Sequence, residues 1–175
     1  MEKNLIKKAQ KGDKEAFEQL IKKYKDDLYR IARARLGDKE DDICDALQET
    51  ILSAYLTIDN LKKISSFKAW LIKILINKCN DIFRKNNLHG NISLEANKCE
   101  NYIYILEDID SKLEIDNIMK RLTIEERTIM MLYYVDGYNS KEIAKMTDSN
   151  ASTVRTKILR AKKKIENIRK EEIEI

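Results

Sequence analysis

Residues 139–168 read NSKEIAKMTDSNASTVRTKILRAKKKIENI, and this stretch decides the fold of the carboxy-terminal part of the chain. Asn139 and Glu142 have the spacing of a capping pair at the start of a short helix. Turn-forming side chains occupy residues 147–150, and the last two of them are suited to cap a longer helix that begins near Ala151. Two helices joined by so short a turn predict a helix-turn-helix, whose second helix can enter the major groove of DNA.

The second of these helices has one apolar face and one basic face. Its apolar residues recur at helical spacing: Val154, Ile158, Ala161, Ile165 and Ile168. Residues 151–170 hold eight Lys or Arg against one Glu, a charge density suited to DNA phosphates. We expect contacts to duplex DNA from the outward residues Ser152, Thr153, Arg155, Thr156, Lys157 and Arg160. The alternative is a solvated basic helix on a helical bundle, because runs of charge are often no more than that.

Upstream of this motif the charge is unevenly distributed. Residues 1–86 hold 19 Lys and Arg against 14 acidic residues, 87–112 hold 2 against 5, and 113–175 hold 13 against 11. The middle segment is also rich in Asn and poorly periodic, as expected of a tether. The sequence therefore predicts two small domains, 1–86 and 113–175, joined by a flexible acidic linker at 87–112.

The amino-terminal block predicts helices and gives no strand signal. Asp13 is positioned to cap a long helix that Gly37 ends, and the acidic residues from Asp38 onward can begin a second helix. The second helix is expected to place its apolar residues on one face: Ile43, Leu47, Ile51, Leu52 and Tyr55. The chain downstream of residue 113 is helical by the same criteria, with a capping box at Thr123 and Glu126. We therefore expect an all-α protein.

A third amino-terminal helix follows Ser65 and Ser66. Its apolar stripe contains Phe67, Leu71, Ile74, Leu75, Cys79 and Ile82. Its opposite face carries Lys73, Asn77, Asn80 and Arg84, and amides with cationic groups suit nucleotide edges and phosphates together. Phe67 and the nearby Trp70 are suited to stack on an unpaired base, although the core is the favoured place for them.

Composition argues against several classes of protein. A hydrophobic content of 43% is enough for a packed core, but no apolar run approaches the roughly 20 residues that cross a bilayer. We expect no membrane insertion and a cytoplasmic location. One histidine and three widely spaced cysteines form no metal-ligand pattern, and no glycine-rich phosphate loop is present. The sequence therefore predicts no catalytic residues, metal, cofactor or small-molecule substrate.

Several stretches together resemble a known family. GDKEAFEQLIKKYKDDLYRIA (12–32), DALQETILSAY (45–55) and SFKAWLIKILINKCNDIFRK (66–85) are similar to region 2 of the extracytoplasmic-function (ECF) sigma factors of the sigma-70 family. YNSKEIAKMTDSNASTVRTKILRAKKKI (138–165) resembles their region 4. The two motif sets stand in the family's order. The resemblance implies that 1–86 is a region 2 domain and 113–175 a region 4 domain.

The resemblance also implies the function and partners. A sigma factor of this class binds core RNA polymerase through the beta and beta-prime subunits and directs initiation at promoter DNA, which it contacts both as duplex and as single strand. It catalyses no reaction. An anti-sigma factor is a further expected partner. The acidic linker resembles the segment that threads the active-site cleft of polymerase, and the plain alternative is a tether.

Roles for particular residues follow from the same resemblance. Asp45, Gln48 and Glu49 match the segment that docks on the clamp helices of the largest polymerase subunit, although a solvated helix face explains them equally simply. The expected minus-10 set is Lys73, Asn77, Asn80, Arg84 and Lys85, preceded by a loop at 61–66 that captures a flipped base. The helix from Ala151 matches the reader of the duplex minus-35 element. Asp148 stands where the family usually has a turn glycine, and Asp tolerates the left-handed conformation better than most residues.

Two alternatives remain open at the level of sequence. An autonomous helix-turn-helix regulator, with a sensor or dimerisation module in its amino-terminal half, predicts tight duplex binding without polymerase. The regulator alternative is disfavoured by the order of two features: the segment DALQET (45–50), and after it the helix that carries Asn77 and Asn80. An all-helical adaptor that binds only protein is the second alternative, and it predicts no DNA-dependent behaviour.

Overall fold

A computed structural model describes residues 1–88 and 121–173 of the chain. These residues form two compact units, one on each side of the gap. Within the described ranges all regular structure is helical, as the sequence predicts. None of these helices combines the length and apolar content that crossing a bilayer requires.

The described part of the amino-terminal unit, residues 1–88, contains four helices: α1 (Glu2–Ala9), α2 (Lys14–Leu36), α3 (Glu40–Thr57) and α4 (Phe67–Leu88). Two short 3-10 turns, Ile58–Asn60 and Ile64–Ser66, connect α3 to α4. Helix α1 lies outside the helices that the sequence patterns predicted, and it packs on α2 with Ile6 and Ala9 buried. The other three helices pack against one another and form the core.

The boundaries of α2 agree with the sequence signals. Asp13 Oδ1 accepts a hydrogen bond from the Ala16 amide at 2.9 Å, and Gly37 ends the helix with a φ of 74°. Helix α3 begins at Glu40, slightly later than predicted. The Asp38 carboxylate instead accepts a hydrogen bond from Arg33, 3.2 Å away at the end of α2.

The core of the amino-terminal unit lies along α4. Phe67 is buried and packs on Tyr24 with ring centroids 5.8 Å apart, which confirms the core placement of this phenylalanine. Cys79 is also buried, as expected, and burial raises the pKa of its thiol to about 12. Ile72 and Ile76 are buried as well. Helix α4 therefore buries a wider face than the predicted stripe, because it contacts both α2 and α3.

The carboxy-terminal unit contains α5 (Ile124–Met130), a π-helical turn (Met131–Val135), α6 (Ser140–Met146) and α7 (Ala151–Ile173). Helices α6 and α7 with their short connection form the predicted helix-turn-helix. The predicted apolar face of α7 is inward: Val154, Ile158, Ala161 and Ile168 are buried and Ile165 packs beside them. The predicted linker, 87–112, lies outside the described residues apart from the last two residues of α4, so the domain boundaries stay a prediction.

Candidate functional site

The start of α6 is fixed by a reciprocal capping box. Asn139 Oδ1 accepts hydrogen bonds from the amides of Lys141 and Glu142, at 3.0 and 3.1 Å. In return, Glu142 Oε2 accepts a hydrogen bond from the Asn139 amide at 2.9 Å. The capping pair predicted from the sequence is therefore confirmed, and it sets the direction in which the chain enters the turn.

The turn between α6 and α7 contains a left-handed residue. Asp148 has a φ of 48° and is the one non-glycine residue with positive φ among those described. The Ser149 amide donates to the Ala144 carbonyl at 3.0 Å, which closes the turn onto α6. Asn150 Oδ1 then accepts a hydrogen bond from the Thr153 amide at 2.8 Å and caps α7. These hydrogen bonds fix the turn and the start of α7, where Ser152 is exposed and Val154 is buried.

The outer face of α7 presents most of the residues predicted to contact duplex DNA. Arg155, Thr156 and Arg160 are exposed, and so is Ser152, whose hydroxyl donates to Asn150 Oδ1 at 2.6 Å. Thr153 and Lys157 are half-buried, and the Lys157 ammonium forms an ion pair with Glu125 on α5. The exposed face is therefore mostly polar and cationic, with Leu159 as an exposed apolar residue on it, and Lys157 also has a role in holding α7.

A second contact joins α7 to α5. Glu126 is 7% exposed, and Lys164 Nζ donates to both of its carboxylate oxygens, at 2.8 and 2.9 Å. The same carboxylate accepts a hydrogen bond from the Thr123 amide at 2.9 Å, and Thr123 Oγ1 accepts one from the Glu126 amide. Burial alone raises the pKa of Glu126, but the hydrogen bonds from Lys164 and Thr123 outweigh it, so the pKa lies below its ordinary value. One buried carboxylate thus caps α5 and anchors α7.

In the amino-terminal unit, the predicted docking residues share one face of α3. Asp45, Gln48 and Glu49 are all exposed. They line a surface cleft between α3 and α4, together with Asp42, Leu52, Ile82, Lys85 and Asn86. Lys78 of α4 pairs with Glu49 at 3.2 Å, and Asn86 donates to Asp42 at 2.8 Å. The structure therefore brings Lys85, predicted for the minus-10 set, into the same cleft as the docking set.

Leu52 is misplaced by the sequence analysis. The apolar pattern put it on the buried face of α3, but its side chain is 54% exposed in the cleft. Ile43 and Leu47 are buried as expected, while Ile51 and Tyr55 are half-buried. The predicted apolar face of α3 was wider than the face that the helix buries, so Leu52 at its edge is exposed to solvent. Leu52 lies one helical turn after the exposed Gln48, and this spacing could have identified it as a surface residue.

The predicted minus-10 residues lie along α4 but differ in their surroundings. Asn77, Arg84 and Lys85 are exposed, and Arg84 pairs with Asp81 at 3.5 Å. Lys73 and Asn80 are half-buried. The Asn80 side-chain oxygen accepts a hydrogen bond from Arg35 of α2, so part of its amide is used within the fold.

The aromatic pair at the start of α4 divides between core and surface. Phe67 is buried and therefore does not offer a face for base stacking. Trp70 is half-buried, and its ring centroid lies 5.8 Å from that of Phe67.

Among the side chains that the structure describes, no group of three or more His, Cys, Asp or Glu is placed to hold a metal ion.

Comparisons with known proteins place both units in one family. A family model described as Sigma-70 region 2 matches residues 20–88, and one described as Sigma-70, region 4 matches residues 112–165. The ECF RNA polymerase sigma factor SigW of Bacillus subtilis is 30% identical over 175 residues, which are 93% of each chain. The ECF RNA polymerase sigma-E factor of Haemophilus influenzae is 29% identical over 176 residues, which are 93% of this chain and 92% of the relative.

A solved structure shows the same fold. It is the sigma factor RpoE of Bartonella quintana, in complex with the anti-sigma factor NepR. The TM-score is 0.70 at 22% identity, and the match covers 88% of this chain and 96% of that one.

Proposed function

Because the chain belongs to the extracytoplasmic-function family of RNA polymerase sigma factors, we propose that its two units divide the work of promoter recognition. The protein is a transcription initiation factor that binds core RNA polymerase and directs initiation at specific promoters. The observation that carries the proposal is the presence of a capped, outward-facing basic helix in one unit and an acidic cleft on α3 in the other. Core polymerase performs the chemistry in the cytoplasm, and this subunit catalyses no reaction.

The carboxy-terminal unit reads duplex DNA at the minus-35 element. Arg155 and Thr156 lie on the exposed face of the first turns of α7, where a recognition helix meets base edges. Arg160 is one turn further along, where phosphate contacts are expected. A good bidentate contact from Arg155 to guanine discriminates by about 1–3 kcal/mol. The set of residues proposed to contact duplex DNA also includes Ser152, Thr153 and Lys157. The Lys157 ammonium also forms an ion pair with Glu125.

The amino-terminal unit docks on core polymerase through α3. Asp45, Gln48 and Glu49 offer carboxylates and an amide on one exposed face, and Leu52 adds an apolar group beside them. A few buried contacts of this kind dominate many protein interfaces. We assign this surface to the clamp helices of the beta-prime subunit.

The same unit holds the minus-10 element as a single strand along α4. Asn77, Arg84 and Lys85 are exposed there, and the loop at 61–66 precedes the helix. Amide and cationic groups suit base edges and phosphates of an opened strand. Lys73 and Asn80 are the inner members of this set, and Asn80 contributes partly by holding Arg35.

Regulation by an anti-sigma factor is part of the proposal. The structural neighbour from Bartonella quintana is in complex with an anti-sigma factor, and this chain has the same fold. A protein partner that covers α3 would compete directly with polymerase for Asp45, Gln48 and Glu49. Core polymerase and such a partner would therefore bind this chain in mutual exclusion.

Transcription in vitro tests the proposal. The purified protein is mixed with sigma-free core polymerase from the same source and with fragments of its genome, and RNA 5′ ends are mapped. We expect defined start sites that require the protein, and only weak duplex binding without polymerase, because each unit alone offers few contacts. No initiation combined with tight duplex binding by the free protein would instead identify an autonomous regulator.

A further inference from the structure

Gln10 connects the amino-terminal helix to the loop in front of α4. It follows the last residue of α1 and is half-buried. Its side-chain nitrogen donates to the Ile58 carbonyl at 3.1 Å and to the Leu61 carbonyl at 2.9 Å. Both amide hydrogens therefore go to the backbone of a segment that lies about 50 residues further along the chain. Gln10 precedes the residues 20–88 that match the family model.

The segment that Gln10 holds has a buried base and an exposed tip. The side chains of Ile58 and Leu61 are buried, while Lys62, Lys63 and Ser65 are exposed. The Leu61 amide donates to the Ile58 carbonyl at 3.1 Å, and the Ser66 amide donates to the Lys63 carbonyl at 2.9 Å. Helix α1 also packs against the turn Ile64–Ser66. The path of the loop is thus fixed at its base, and its tip presents two lysines to solvent.

A neutral amide suits this position. Two backbone carbonyls accept from Gln10: that of Leu61, and that of Ile58, which also accepts from the Leu61 amide. Losing hydrogen bonds at such half-buried carbonyls is costly. Gln supplies both donors from one nitrogen without introducing a charge. Glu has the same size but no donor at neutral pH, and Leu has neither donor nor acceptor. These substitutions therefore remove the two hydrogen bonds while leaving most of the side-chain volume in place.

We propose that Gln10 is a positioning residue for minus-10 recognition, which holds the loop at 61–66 in the conformation that captures the flipped base. The inference rests on the proposed function, in which this unit holds the minus-10 strand, and on the base capture that the family resemblance implies for this loop. Gln10 touches no DNA and acts through the carbonyls of Ile58 and Leu61. Preorganising a loop in its binding conformation lowers the cost of ordering it on binding.

The first measurement asks whether Gln10 orders the loop. Full-length protein carrying Gln10→Glu or Gln10→Leu is compared with Gln19→Glu and Gln19→Leu, since Gln19 is exposed on α2. We expect hydrogen exchange at the Leu61 and Ser66 amides to be about tenfold faster in both Gln10 variants, from the loss of two hydrogen bonds. The Gln19 variants should exchange like the unchanged protein. Equal exchange in all five proteins would overturn the inference.

The second measurement separates positioning from general stability. Core polymerase with each protein transcribes a promoter library whose minus-10 bases are randomised, and the recovered RNAs give the base preference at each position. We expect the Gln10 variants to flatten the preference at the captured base by about fivefold, as loss of a few hydrogen bonds permits, while the minus-35 preference is retained. A merely structural role would lower output from all promoters alike and keep the preference unchanged, and that result would overturn the inference.

The two possible failures are distinguishable. If the unchanged protein directs initiation and the Gln10 variants keep its base preference, the positioning role is wrong and the proposed function stands. If the unchanged protein directs no initiation with core polymerase, the proposed function fails, and the inference fails with it. Gln10→Glu and Gln10→Leu must give the same direction of change, since they share only the loss of the two donors.

Discussion

The two units hold their functional helices in different ways. Helix α3 begins at Glu40, and its N-cap residue Lys39 gives no side-chain cap. The helix is held by the burial of Ile43, Ala46 and Leu47 against its neighbours. The helices of the carboxy-terminal unit each begin with a side chain that accepts a backbone amide: Thr123, Asn139 and Asn150. An ion pair between the buried Glu126 carboxylate and the exposed Lys164 adds to these caps.

This difference follows from the size of the core available to each unit. Three long helices bury apolar side chains on several faces, so local support at their ends, such as the Asp13 cap of α2, contributes a smaller share. Two short helices and one face of α7 bury less, so capping and one cross-helix carboxylate contribute a larger share. The comparison predicts that single polar changes damage the smaller unit more, whereas changes on the surface of the larger unit alter binding and leave stability intact.

The largest expected effect separates the two functional surfaces. Asp45→Lys combined with Gln48→Ala should weaken binding to core polymerase by about 30-fold or more, the size of effect expected for central interface residues. Duplex DNA binding should not change, because Arg155 and its neighbours belong to the other unit. Core binding is measured by titration of labelled protein, and duplex binding by anisotropy at fixed salt.

The matched control for this prediction is Glu18→Lys with Gln19→Ala, which changes two exposed residues of α2 in the same way. It should bind core polymerase like the unchanged protein. Equal weakening by both double variants would show that overall charge, and not the α3 surface, controls docking.

Glu126→Leu should destabilise the carboxy-terminal unit by about 1–2 kcal/mol, because it removes the carboxylate of the capping box and the partner of Lys164, whose ammonium then returns to solvent. Glu49→Gln breaks an exposed pair with Lys78 and should cost about 0.5 kcal/mol or less. Trp70 is the one tryptophan of the chain, so its fluorescence follows the amino-terminal unit during urea unfolding, while circular dichroism follows both. A shift of the Trp70 transition by Glu126→Leu would contradict independent unfolding of the two units.

Acid should reveal the contribution of the Glu126 carboxylate. Its pKa is lowered in the folded protein, so its contribution is present above the ordinary Glu pKa of about 4.3 and is lost as the pH falls through the lower folded value. The stability difference between the unchanged protein and Glu126→Gln should therefore shrink as the pH falls below about 4.3. Urea titrations at several pH values measure it. A difference that stays constant in acid would contradict this role for the charge.

The smallest expected effect concerns Asp148, whose φ is positive, and Gly37 provides the contrasting case. Asp148→Gly should change stability by less than about 0.5 kcal/mol, because relief of left-handed strain is offset by the greater freedom of glycine when unfolded. Gly37→Ala should cost about 1–3 kcal/mol, since φ 74° with ψ −147° is accessible almost only to glycine. Thermal unfolding measures both. A larger cost for Asp148→Gly would mean that its carboxylate stabilises the turn.

Local signals could be predicted from the sequence, and distant contacts could not. The capping pairs, the left-handed Asp148 and the apolar face of α7 depend on residues a few positions apart, and all three are present in the structure. The pairing of Lys164 with Glu126 joins residues 38 positions apart, and that of Asn80 with Arg35 joins residues 45 apart. No periodicity encodes such pairs. The predicted burial of Leu52 was wrong for a related reason, because the packing of α3 against α4 determines how wide the buried face of α3 is.

The candidate site also combines features that the sequence predicted with contacts that it did not predict. Residue types and spacing predicted which helix faces are polar, and Arg155, Asn77 and Gln48 are exposed as expected. Sequence alone did not show that the docking and minus-10 sets meet in one cleft at Lys85. It also did not show Gln10, because the contact of this side chain with the loop joins residues about 50 positions apart.

The most direct test of the division of labour is a transcription assay on four templates that combine intact or scrambled minus-10 and minus-35 elements, with Arg155→Ala and Asn77→Ala compared in reactions with core polymerase. We predict that Arg155→Ala loses discrimination at the minus-35 element and keeps it at the minus-10 element, and that Asn77→Ala does the reverse. If each variant reduced discrimination at both elements alike, the two units would not read separate elements, and the account would be contradicted.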